Sequence, residues 1–186
     1  MVHSVLTMYK YHIWANEVIL NRLKELPQDV FHKEVNSGFS SAAKTMCHIY
    51  LTDLAWLEII SGTSMSDAMA YTNQLTEQME TKNIEEMKVV FTELSKRYKK
   101  YLNDQTNYEK VIEVDNPYAG LLETTIFETI LHLVTHGSYH RGNIATMLRQ
   151  IGHTSVMQDF GLFLYSNLMG GAHNQSLTME DVNNQR

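Results

Sequence analysis

Apolar residues recur at three- and four-residue steps over four stretches of the chain, the period of a helix that buries one face. In the first stretch Leu6, Tyr9, Ile13, Leu20 and Leu23 mark a helix from His3 to about Leu26, and Pro27 ends it. Asn16 falls on that stripe, where a polar side chain needs a hydrogen-bond partner. It is either a buried structural amide or the wall of a pocket. After a connection over 27–39, Ser40 or Ser41 caps a second helix that runs to about Ser61 and stops at Gly62. The third helix starts behind Asn83 and carries Met87, Val90, Phe91, Leu94, Tyr98, Tyr101 and Leu102 on its buried face, ending near Asp104. The fourth begins between Leu122 and Thr125 and runs to Ile151, roughly 40 Å and the longest element.

Two long connections join these helices. Residues 63–82 are polar and Met-rich without a clear period and read as a crossover. Within 105–123, the alternation K-V-I-E-V-D followed by N-P-Y-A-G predicts an extended segment or hairpin over the bundle end. A short helix from Asp159 to Tyr165 follows the fourth. The fold class is therefore all-α: a four-helix-bundle domain over 1–168. A polar tail over 169–186 is either flexible or an arm that reaches a second subunit. With two prolines and nine glycines in 186 residues, composition agrees, and the length suffices for one core.

The net charge of −6 and the lack of a basic stripe argue against nucleic acid as a partner. The densest basic run, Lys96-Arg97 with Lys99-Lys100, reads as a solvated helix face. One cysteine, Cys47, rules out an intrachain disulfide and suits a reducing cytoplasm. The N-terminus lacks the pattern of a signal peptide, and no apolar run reaches 18 residues, so the expectation is a cytoplasmic protein without a membrane partner.

The fourth helix holds His132, His136 and His140, each four residues after the last, on the face that carries Ile126, Ile130, Leu133, Ile144, Met147, Leu148 and Ile151. Side chains four apart on a helix lie about one turn apart on one face, so two imidazoles can grip one metal ion from a rigid element. The competing reading is that each histidine is a satisfied core residue. Because four-residue steps drift about 40°, the row cannot be aimed equally well at one point. His136 and His140 are the expected pair, with His132 a neighbour that lines the pocket. In the second helix His48 can look inward with Leu51 and Ala55. Cys47, about 100° round the helix from it, is expected to be a small packing residue. Gly137 and Gly142 interrupt the fourth helix, and close packing is the expected cause. A ligating histidine needs a partner for its other ring nitrogen, and Asp53, Asn16 and Glu128 are candidates. H-E-x-x-H is absent, and Glu128 with His132 lacks the spacing of a di-iron carboxylate motif.

The string His136 to Gly152, with H-x-x-x-H-R-G-N and then L-R-x-x-G, resembles the DinB/YfiT-like family of metal-binding four-helix bundles. Asn143 stands where many members have glutamine. Trp14-Ala15-Asn16-Glu17 resembles the family's first helix, His48-Ile49 with Asp53 and Trp56 its second, and Asp159-Phe160 with Tyr165 the segment after its fourth. The resemblance covers about residues 5–166 and implies an up-down-down-up bundle, often a homodimer, with a divalent metal on His48, His136 and His140. Zinc, nickel, iron and manganese are all compatible with such a site. Relatives include transferases and isomerases that use low-molecular-weight thiols, and others are described as metal-dependent hydrolases. The expected partners are thus a thiol and a small-molecule electrophile, the latter lying against Trp14, Tyr139 or Tyr165. A non-catalytic metal- or ligand-binding bundle is the alternative. Three imidazoles leave coordination positions open, as catalytic rather than structural zinc sites do.

Overall fold

Helix starts fall where side chains can cap them. Ser41 Oγ accepts from Lys44 N ahead of α2 (Ala42–Ile60). Asn83 and Glu86 exchange backbone and side-chain bonds in a capping box ahead of α4 (Ile84–Asn103), and Thr125 and Glu128 do the same ahead of α5 (Ile126–Gln150). Asp159 Oδ1 accepts from Leu162 N at the start of α6 (Phe160–Leu168). α1 covers Ser4–Glu25, and a short 3-10 turn follows at Gln28–Phe31. These bounds come from a computed structural model that describes residues 4–168. The expected tail, 169–186, lies outside the described residues.

The chain is mostly helical. α1 and α2 each pack on both α4 and α5, while α6 rests on α1. Two apolar clusters fill the interior. One joins Tyr9 and Ala15 of α1 to Leu54 and Leu57 of α2, Tyr98 and Leu102 of α4, and Ile130 and Leu133 of α5. The other joins Ile19 and Leu23 to Met46, Ile49, Met87, Ile144 and Leu148. The early turns of α1 and α5 thus lie beside the late turns of α2 and α4. Between the two clusters on α1, α2 and α5 stand His12, Asn16, Asp53, His140 and Arg141, all buried. The bundle therefore has an apolar upper and lower half and a polar waist.

One expectation needs correction. Residues 63–82 are no bare crossover: α3 spans Met65–Glu80 and packs on α2 and the hairpin. Its buried residues are Ala68, Thr72 and Met79, so the stripe is narrow and partly polar and shows little hydrophobic period. Ser64 caps it, accepting from Asp67 N. The fourth long helix starts at Ile126, at the late end of the expected range and capped by Thr125, because residues through Thr125 belong to β2. The expected hairpin is present: β1 (Val111–Asn116) pairs antiparallel with β2 (Gly120–Thr125), with Val111 opposite Thr125 and Asn116 opposite Gly120. Asn116 Oδ1 accepts from Tyr118 N and Ala119 N, and Gly120 takes the positive φ of 84° that closes the turn.

Candidate metal centre

His48 of α2 meets His136 and His140 of α5 at the waist. One ring nitrogen from each lies within 4.8 Å of the others. His48 Nε2 and His136 Nε2 are 3.0 Å apart. Two nitrogens on a tetrahedral zinc ion, each about 2.0–2.1 Å from it, would stand roughly 3.3 Å apart, so the spacing fits with a small adjustment. His140 is buried, and His48 and His136 are half-buried, so the group is open on one side.

The electrostatics keep these imidazoles neutral. Burial, followed by repulsion from His140, His48, His132 and His12, lowers the His136 pKa to about 3. Burial and then His48 lower that of His140 to about 4. Burial lowers His48 too, against an opposing pull from Asp53. Neutral imidazoles with free lone pairs are the form that binds a divalent ion. His136 Nδ1 and His140 Nδ1 are buried without a hydrogen-bond partner among the described residues. The donor set thus suits a borderline-soft divalent cation.

None of the expected partners reaches a ligand ring. Asp53 Oδ2 lies 2.8 Å from His12 Nε2. Asn16 sits between His12 Nε2, at 3.2 Å from its Nδ2, and Arg141, whose Nη1 donates to Asn16 Oδ1 at 2.8 Å. Glu128 is spent on the α5 cap. Asp53 and Asn16 therefore build the waist beside the histidines. The same network explains Gly137. A Cβ there would come within 2.6 Å of His12 Cε1 and 2.7 Å of Arg141 Nη1, so glycine is what admits both side chains. Close packing was the expected cause at both glycines of this helix; it holds at Gly137, whereas Gly142 is exposed and a Cβ there would meet nothing within 4 Å.

The row on α5 winds out of the core as its angular drift requires: His140 is buried, His136 half-buried and His132 exposed. His132 contacts Trp56, at 5.2 Å between ring centroids, and His136, at 5.7 Å. The rings that flank the three histidines are Phe39, 4.7 Å from His48, and Tyr139, 5.0 Å from His140 and itself 68% exposed. Trp14 lies on the flank of α1 that meets α6 and packs against Tyr11 and Phe163. Tyr165 of α6 is 69% exposed. Cys47 is buried and points at α3, within 3.9 Å of Thr76 O.

Sequence reasoning passed over Phe39, Trp56's contact with His132, and the pair His12 and Arg141. His12 stands four residues before Asn16, and Arg141 four after Gly137. A polar i, i+4 pair on a core stripe and a glycine one turn before a large cation were the available signals.

An all-α bundle with three converging imidazoles on two of its helices defines a candidate metal-binding helical protein. The DinB family model matches residues 1–177, and the chain belongs to that family. It is 47% identical over 158 residues to Protein DinB of Bacillus subtilis (strain 168), a match that covers 85% of this chain and 92% of the relative. Among the described residues no helix is long and apolar enough to cross a membrane.

Proposed function

We propose that the protein holds one divalent metal ion on His48, His136 and His140 and is a metal-dependent enzyme that transfers a low-molecular-weight thiol to a small electrophile. The observation that carries this is the convergence of three neutral imidazoles within 4.8 Å, with no fourth histidine, cysteine or carboxylate in the group among the described residues. A three-ligand set leaves room for an exogenous molecule. A metal ion bound there supplies a Lewis acid that lowers the pKa of a coordinated thiol or water.

The chain's own groups divide the rest. Cys47 is no nucleophile, because burial and then Glu80 push its thiol up to about 12, so the sulfur comes from outside. Phe39 and Tyr139 flank the histidines with aromatic faces against which an electrophile can lie. In the transfer the thiol sulfur forms the new bond to carbon, the leaving group departs with its electron pair, and the thiol proton passes to solvent.

The test starts with metal content of tag-free protein. One ion per chain in wild type and none in His48→Ala/His136→Ala/His140→Ala is the expected result. Turnover of a model alkylating electrophile with added thiol should then be lost in His136→Ala. Undiminished turnover in that variant would overturn the catalytic reading, and a metal-free wild type would overturn the site.

A further inference from the structure

A second feature of the waist lies apart from the three histidines. Between α1 and α4 there is a cavity of about 270 Å³, and neither His48, His136 nor His140 lines it. Its walls are apolar and aromatic, with Tyr9, Ile13, Leu20, Phe91 and Leu94. Exposed Glu17, Asn21 and Thr92 mark its mouth. All the lining residues come from α1 and α4 except one, Asp53 of α2, which closes the inner end.

Asp53 is 3% exposed, and its two oxygens differ. Oδ2 is paired with His12 Nε2. Oδ1 is buried and has no hydrogen-bond partner among the described residues. The nearby cation does not fill it, since Arg141 sends Nη1 to Asn16 and Nη2 to Ser138. The other unfilled atom of the pair, His12 Nδ1, faces Gly137 on α5. An ionised carboxylate oxygen can only accept, so what completes it is a donor. At the mouth Lys88 is engaged with Asn21 Oδ1 at 2.8 Å, and Glu17 adds a negative charge.

We propose that this cavity binds a small organic ammonium ion. Its N–H groups sit on Asp53 Oδ1, its cationic head lies near the Tyr9 ring, and its apolar body rests on Leu20, Phe91 and Leu94. The inner end favours a cation over an anion, because a buried carboxylate oxygen there lacks a donor, while the charges of Lys88 and Glu17 offset each other at the mouth. An apolar pocket with few convergent polar groups is the usual form of a small-molecule site.

Saturation-transfer NMR on the full, metal-loaded chain tests this, with benzylammonium as the probe and benzyl alcohol and benzoate as neutral and anionic controls. Benzylammonium should bind and the controls should not. Asp53→Asn, which removes the charge but keeps the shape, should weaken binding about tenfold or more. Ser95→Phe, which fills the cavity from α4, should abolish it and keeps the test decisive if the Asp53 variant fails to fold. The three-histidine alanine variant should bind as wild type does, which separates this site from the metal centre. Absence of benzylammonium binding, equal binding of benzyl alcohol, survival of binding in Ser95→Phe, or its loss in the three-histidine variant would each overturn the proposal.

Discussion

His12 and His136 are two imidazoles at the same waist with opposite surroundings. His12 has a carboxylate at 2.8 Å and belongs to a chain of side chains that runs through Asn16 to Arg141 and Ser138. His136 has other imidazoles: His48 at 3.0 Å, and His140 and His132 as ring neighbours. In the first group acid and base complement each other, and the bonds tie α1, α2 and α5 together. In the second every member offers the same lone pair, and His140, His48 and His132 each make His136 harder to protonate. Complementary partners fix a structure, whereas like partners stand ready for an outside cation. The two groups should therefore answer mutation and acid differently.

The largest difference is expected at Asp53. Asp53→Ala strips His12 of its partner and leaves the buried Arg141 without the carboxylate that favours its charge. A loss on the order of 3 kcal/mol is expected in urea unfolding. Gly137→Ala should cost about 2 kcal/mol by forcing His12 and Arg141 off their positions, without removing any hydrogen-bonding group. If it costs nothing, the waist is looser than the distances imply. His136→Ala, measured on metal-free protein, should change stability by less than about 1 kcal/mol, because the ring it removes carries a buried nitrogen without a partner. A loss as large as that of Asp53→Ala would erase the contrast.

Acid sharpens it further. Between the ordinary histidine pKa of 6.5 and about 3, the unfolded chain carries a proton at position 136 that the folded chain refuses. The unfolded state then binds more protons, so metal-free protein should lose stability as pH falls through that window and level off below it. Thermal melts from pH 7 to 3 check this, and the slope should be shallower in His136→Ala.

Much of this was legible in the sequence, and the exceptions share a cause. The long helices announce themselves through strong apolar stripes and through caps such as Asn83 with Glu86. His136 and His140 stand out because their spacing is itself the geometry. α3 stayed hidden because Ala68 and Thr72 bury little apolar surface, although Ser64 with Asp67 marked its start. His12 and Arg141 stayed hidden because their partners are distant in sequence: 41 residues separate His12 from Asp53, and 125 separate Asn16 from Arg141. Local pattern shows which face a residue occupies but not which residue it meets there. For the same reason Asp53 and Asn16, expected beside the ligating histidines, meet His12 instead.

The separation between His48 and His136 has a kinetic consequence. They lie 88 residues apart, with α3, α4 and the hairpin in between. An ion held by both closes that loop as a removable cross-link, one that forms only after α2 has docked on α5. Contacts made late in folding act chiefly on the rate of escape from the native state. Loading the site should thus slow unfolding far more than it speeds refolding, and a bound ion would act as a latch on the folded bundle.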